Sequence, residues 1–238
     1  MAARAPVPPH TISGFSAGGD MAMIHLVAYS ASVTGATVDG GAPYGCNILP
    51  RAEQARRRRR RTTGFCAFSV LTPSHGRIAR PLSRAVHSVT CGIAAQTCQF
   101  PKRDEPWGDH LAKMGAYMRA REVAGQIDPL SQLAGKPIVL YSGAKDDVVL
   151  RPVMVAVGKQ LAPLVNNASA IAAIYSIPSE HAWPTSDRRA QPCVRMGPPF
   201  ANFCDYDLAG VSLRHMRRAG LRPRGRASAA RLLAYRRP

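Results

Sequence analysis

Three residues, Ser16, Asp146 and His181, have the types and the chain order needed for acyl transfer. A serine hydroxyl attacks a carbonyl efficiently when an imidazole takes its proton and an acid fixes the imidazole tautomer. Ser16 lies in Gly14-Phe15-Ser16-Ala17-Gly18, with Gly19 following, so the core pattern is Gly-x-Ser-x-Gly. In a nucleophile elbow a strand turns sharply into a helix and the serine occupies a strained backbone conformation. Its neighbours must be small, because side chains there would collide with the adjacent strand or helix. The turn lifts the hydroxyl clear of the sheet. It also aims the N–H of Ala17 and the helix N-terminus at a developing oxyanion. A bare Gly-x-Ser-x-Gly arises by chance in Gly- and Ser-rich chains, so the rest of the chain decides its meaning.

The elements that must position these groups follow an α/β order. Residues 10–15 are predicted as the strand entering the elbow, and residues 17–30 as a helix apolar almost all round, suited to burial under a sheet. His25 on that helix reads as packing. Residues 36–38 form a short strand and 39–44 the loop leaving it. Residues 109–124 have helix-forming composition, with apolar Leu111, Met114, Tyr117 and Met118 and a stop at Gly125. Residues 127–130 form a turn. The run at 136–143 is a strong buried-strand signal ending in a glycine turn, and Asp146 follows directly. A helix over 152–165, interrupted by Pro163, leads to a strand at 170–177, which feeds the loop carrying His181. Groups beyond strand ends are where α/β sheets place their sites. α/β-Hydrolases deliver serine, acid and histidine in this order, each after a strand. Asp147 competes with Asp146 for the acid, and Asp39, beyond an earlier strand, is a more distant candidate.

The chain of 238 residues carries a net charge of +18, which suggests nucleic acid until it is mapped. Residues 51–90 hold ten Arg and one Glu, and residues 214–238 hold nine Arg and no acid. A neutral body therefore carries two arginine-rich segments. The six consecutive arginines at 56–61 admit three readings: a polyanion-binding patch, a solvated insert, or a partly out-of-frame stretch. The last is favoured, because Arg outnumbers Lys 27 to 5. The apolar fraction of 46% is that of an ordinary globular protein, and no run approaches eighteen apolar residues, so a spanning helix is excluded. The start lacks the apolar run of a signal peptide. Six cysteines without Cys-x-x-Cys disfavour zinc fingers and thioredoxin-like chemistry; disulfides and buried thiols both remain open. The sequence offers no nucleotide loop, no metal-ligand cluster and no paired carboxylates, so no metal or cofactor is called for.

Several blocks resemble the poly(3-hydroxybutyrate) depolymerase family. They are Ile12-Ser13-Gly14-Phe15-Ser16-Ala17-Gly18-Gly19-x-Met21-Ala22, Val27-Ala28-Tyr29-Ser30 and Gly40-Gly41-x-Pro43-Tyr44-x-Cys46. Further on stand Ile127-Asp128-Pro129-Leu130, Ser142-Gly143-x-x-Asp146-x-Val148-Val149 and His181-Ala182-Trp183-Pro184-Thr185. The most distinctive block is Pro198-Pro199-Phe200-Ala201-Asn202-x-Cys204-Asp205-Tyr206-Asp207-x-Ala209-Gly210. Together they span residues 12–46 and 90–213. The resemblance implies a circularly permuted α/β-hydrolase with Ser16 as nucleophile, Asp146 (not Asp147) as acid and His181 as base. It implies a hydrophobic polyester or its oligomers as substrate, cleaved through an acyl-enzyme, and an extracellular or periplasmic location. By the resemblance Cys193 with Cys204 looks like a family disulfide, and Cys46 with Cys98 is a better candidate for a second pair than any pairing of Cys66. Trp183 is a candidate to line the acyl pocket, with a core role equally open.

The departures shape the remaining expectations. Asp20 stands where the family carries an aromatic residue, and residues 47–90 have no recognised counterpart. Relatives of this order continue past the Cys-Asp-Tyr-Asp block and supply a second oxyanion donor, so a truncated or frame-disrupted, weakened hydrolase is expected. The expected divisions are 1–46 for the elbow, 47–90 for a disordered arginine-rich insert, 91–213 for the rest of the hydrolase body, and 214–238 for a basic tail. A general carboxylesterase or feruloyl-type esterase is the nearest alternative. An inactive hydrolase scaffold that binds nucleic acid or other polyanions is the alternative from another class.

Overall fold

The computed structural model describes residues 7–46, 98, 101 and 106–217. The insert at 47–90, with its arginine run, lies outside the described residues, as does the chain from 218 onward. Four parallel strands form the main sheet in chain order: β1 (His10–Phe15), β2 (Val33–Asp39), β3 (Ile138–Tyr141) and β4 (Ile171–Ile174). Helices α1 (Ala17–Ala28), α2 (Trp107–Val123) and α3 (Arg151–Val165) fall in the successive connections, as parallel pairing demands. Three short strands, β5 (Trp183–Thr185), β6 (Gln191–Pro192) and β7 (Ala201–Phe203), pair in the order β5-β7-β6, and α4 (Leu208–Arg217) follows.

Register is what makes this sheet useful. Phe15 pairs with Asp39, Asp39 with Tyr141, and Tyr141 with Ile174, so the C-terminal strand ends are level. The loops leaving them emerge side by side. Alternate residues of each strand serve opposite faces. Ala36, Val38, Ile138 and Leu140 join Met23, Leu26 and Val27 of α1 and Met154, Val157 and Leu161 of α3 in the principal core. Val139 and Tyr141 pack on the opposite face with Leu208 of α4. β3 is therefore buried on both sides, which is why its sequence is an uninterrupted apolar run.

Three expectations are corrected. α1 is not buried all round: Met21 is 60% exposed and Ile24 44%, because among the described residues no strand pairs with the outer edge of β1. Residues 214–217, expected as the start of a basic tail, are helical and form the last turn of α4. That helix starts behind Asp207, whose Oδ1 accepts the Gly210 N–H at 2.9 Å in the manner of an N-cap. Pro163 does not interrupt α3, which runs through it to a left-handed Asn166 cap.

Candidate active site

β1 ends at Phe15 and α1 begins at Ala17, so Ser16 alone turns the chain, with φ 57° and ψ −123°. Left-handed backbone is costly for a residue with a side chain and persists only where its surroundings over-determine it. Here the Ser16 N–H donates to the Asp39 carbonyl at 2.8 Å, and the Asp20 N–H donates to the Ser16 carbonyl at 3.0 Å. A Cβ on Gly14 would sit 1.9 Å from the Gly18 carbonyl oxygen, so this close approach of strand and helix excludes any larger residue. Ala17 opens α1, and its N–H is among the helix N-terminal donors that no intrahelical carbonyl reaches.

The loops after β3 and β4 are tied together by backbone. The Ala144 N–H donates to the Ile177 carbonyl at 2.7 Å and the Lys145 N–H to the Ser179 carbonyl at 3.1 Å. Gly143 permits this contact, since a Cβ there would lie 2.3 Å from the Ser179 carbonyl oxygen. Asp146 and His181 are thereby delivered to the same place. His181 Nδ1 lies 2.9 Å from Asp146 Oδ2, and His181 Nε2 lies 2.9 Å from Ser16 Oγ. A carboxylate can only accept, so Nδ1 carries the proton and Nε2 is left to accept from the Ser16 hydroxyl. Asp146 Oδ1 is occupied by the N–H groups of Val148 at 2.9 Å and Val149 at 2.8 Å, which lock the carboxylate plane. Asp146 and His181 are both buried, so their interaction is little screened.

Of the three candidate acids, Asp146 is the one hydrogen-bonded to the imidazole. Asp147 is exposed. Asp39 is buried, and its Oδ2 has no hydrogen-bond partner among the described residues. Burial first, and the neighbouring Asp146 charge second, push the Asp39 carboxyl well above the ordinary range. Its backbone, by contrast, is engaged, since its carbonyl anchors Ser16. Gly40 follows with φ 57°, close enough that a Cβ would stand 3.2 Å from His181 Cε1. Phe15 lays its ring on the imidazole at a centroid distance of 4.6 Å.

Asp20 also finds a role that the sequence did not disclose. Its Oδ1 accepts the Ala42 N–H at 2.7 Å, tying the loop after β2 to the first turn of α1. Burial outweighs that bond and pushes its carboxyl up to about 6. Trp183 is half-buried and packs with Val139, Tyr141 and Leu208, so its ring sits in the second core. His25 meets His10, Nε2 to Nε2 at 2.9 Å, and takes no part in the relay. Disulfides join Cys46 to Cys98 and Cys193 to Cys204; Cys66 and Cys91 lie outside the described residues. Among the described residues no group of three or more His, Cys, Asp or Glu could hold a metal ion, and no helix is long and apolar enough to cross a membrane.

A parallel sheet, a serine on a left-handed strand-to-helix turn, and acid and imidazole on the loops of later strands define an α/β-hydrolase fold. No family model matches the chain. It is 29% identical over 208 residues to a poly(3-hydroxybutyrate) depolymerase of Delftia acidovorans, a match covering 87% of this chain and 33% of that protein. It superposes on the crystal structure of a PHB depolymerase from Penicillium funiculosum with a TM-score of 0.63 at 21% identity, covering 93% of this chain and 55% of the other. A serine-to-alanine variant of a PHB depolymerase complexed with an R3HB trimer gives a TM-score of 0.59 at 21% identity, over 88% and 52%. The chain is thus similar in sequence to one poly(3-hydroxybutyrate) depolymerase and shares the fold of two solved ones. It spans about a third of the length of the curated relative and about half that of the solved structures.

Proposed function

We propose that this protein is a serine hydrolase that cleaves the ester bonds of poly(3-hydroxybutyrate) or its oligomers. The observation that carries the reading is the unbroken hydrogen-bonded chain from Asp146 through His181 to Ser16, with both links at 2.9 Å. Ser16 Oγ attacks the ester carbonyl while its proton passes to His181 Nε2, and Asp146 stabilises the resulting imidazolium. The tetrahedral oxyanion faces the Ala17 N–H, and loss of one such donor costs about 3 kcal/mol of transition-state stabilisation. Collapse expels the alcohol end of the polyester, which takes the proton from His181 and leaves Ser16 acylated. Water then repeats the cycle: His181 removes its proton, the acyl bond breaks, and Ser16 recovers its hydrogen.

The polyester substrate is inferred from the named relatives, whose depolymerase activity fits a serine ester hydrolase site. Two closed disulfides support an exported, oxidising location. Residues 7–46 and 91–217 are taken as the hydrolase body. The test is hydrolysis of p-nitrophenyl esters and of 3-hydroxybutyrate trimer by wild type and Ser16→Ala. Turnover abolished by the substitution is expected, and equal rates in both proteins would refute the assignment.

A further inference from the structure

Phe200 carries a backbone conformation that a bulky side chain normally avoids, with φ 58°. The loop around it is braced from several directions. The Phe200 N–H donates to the Gly197 carbonyl at 2.9 Å, and the Phe200 carbonyl accepts the Trp183 N–H at 2.8 Å. Asn202 Nδ2 donates to the carbonyls of Cys193 at 3.0 Å and Arg195 at 2.6 Å, inside the turn closed by the Cys193–Cys204 disulfide. Glycine would meet the backbone demand at position 200 without strain. A phenyl ring is there instead, only partly buried and 6.3 Å from Phe15, whose own ring covers the His181 imidazole. Strain held at a site by its surroundings is a pointer to function.

We propose that Phe200 is a specificity-determining residue: with Phe15 it forms an aromatic wall beside His181 that receives the apolar chain of the ester's acyl group. The proposal rests on the serine-esterase reading. Each methylene that the wall removes from water adds about fourfold to binding. Wild type therefore prefers p-nitrophenyl hexanoate to the acetate. Phe200→Ala is expected to lower kcat/KM for the hexanoate about tenfold, mainly through KM, and for the acetate less than twofold. Phe200→Tyr keeps the ring and is expected to keep the profile. An unchanged dependence on chain length in Phe200→Ala would overturn the proposal.

Binding is read separately from turnover by titrating the Ser16→Ala protein with ethyl hexanoate in an isothermal titration calorimeter. A tenfold loss of affinity on adding Phe200→Ala supports the wall, and equal affinity overturns it, whether or not the wild type hydrolyses esters. If the alanine variant does not fold, Phe200→Gly, which adopts the positive φ freely, replaces it in both measurements.

Discussion

Replacing Asp20 by Asn should stabilise this protein at neutral pH and leave it unchanged in acid. The Asp20 carboxyl titrates at about 6 in the folded chain against 3.8 unfolded, because burial penalises its charge. Between those values the folded state binds more protons than the unfolded state, so stability falls as pH rises through the window. Below 3.8 both forms are neutral and the penalty is absent; above about 6 it is fully present. A shift of about two units corresponds to about 3 kcal/mol, and the positive end of α1 offsets up to about 1 kcal/mol of it. Asparagine carries no charge, and its Oδ1 still accepts the Ala42 N–H. The expected gain at pH 7.5 is thus about 2 kcal/mol, on the order of 4–8 °C in Tm for a chain of this size. Differential scanning calorimetry of both proteins between pH 3.5 and 8 measures it. A Tm difference that is the same at both ends of that range, or a less stable variant at pH 7.5, would refute the reasoning.

Two other substitutions test the site's construction. Asp146→Asn can offer an amide N–H to His181 Nδ1, forcing the ring proton onto Nε2 where it faces the Ser16 hydroxyl. A fall in kcat on the order of 10⁴ with little change in KM is expected from steady-state ester hydrolysis. Gly14→Ala drives a methyl group into backbone at 1.9 Å and cannot be relieved by a rotamer change. A loss of about 4 kcal/mol or more is expected in urea unfolding, and a wild-type midpoint would contradict the packing described for the elbow.

Much of this arrangement was legible in the sequence because it depends on local pattern. The apolar run before Ser142 is a strong buried-strand signal, and the small residues around Ser16 announce a turn too tight for side chains. Ser16, Asp146 and His181 each stand behind a strand in the sequence, and in the structure the imidazole lies 2.9 Å from both the carboxylate and the hydroxyl. What was hidden depends on contacts between distant segments. Gly143 looks like any turn glycine until Ser179 is seen lying against it. Asp20 looks like a misfit in the first turn of a helix until the Ala42 N–H is found on its oxygen. α4 escaped because its last residues, from Arg214, were assigned to the basic tail by composition, and only the pairing of Asp207 with the Gly210 N–H marks a helix start. The exposed Met21 and Ile24 were misjudged for the complementary reason: composition records how apolar a helix is, not how many of its faces meet a partner.

The relay's precision has a backbone origin. At the level C-terminal ends of the four strands, one hydrogen bond leads from each to the next: Ser16 N–H to the Asp39 carbonyl at 2.8 Å, Gly40 N–H to the Tyr141 carbonyl at 3.2 Å, and Ser142 N–H to the Ile174 carbonyl at 3.1 Å. The Ala144 N–H then reaches the Ile177 carbonyl at 2.7 Å and closes the series onto the histidine loop. Each residue in this row begins or ends a loop that carries a member of the relay or flanks one. Side-chain rotamers alone would leave Ser16 Oγ and His181 Nε2 free to drift, whereas the row fixes their attachment points before any side chain is placed. It exists because strand order equals chain order, so that β1 to β4 present adjacent ends. Serine, carboxylate and imidazole leave the level ends of β1, β3 and β4, the first and last of which are opposite edges of the four-stranded sheet, so the loops after these strands have to reach inward to one another over the strand ends.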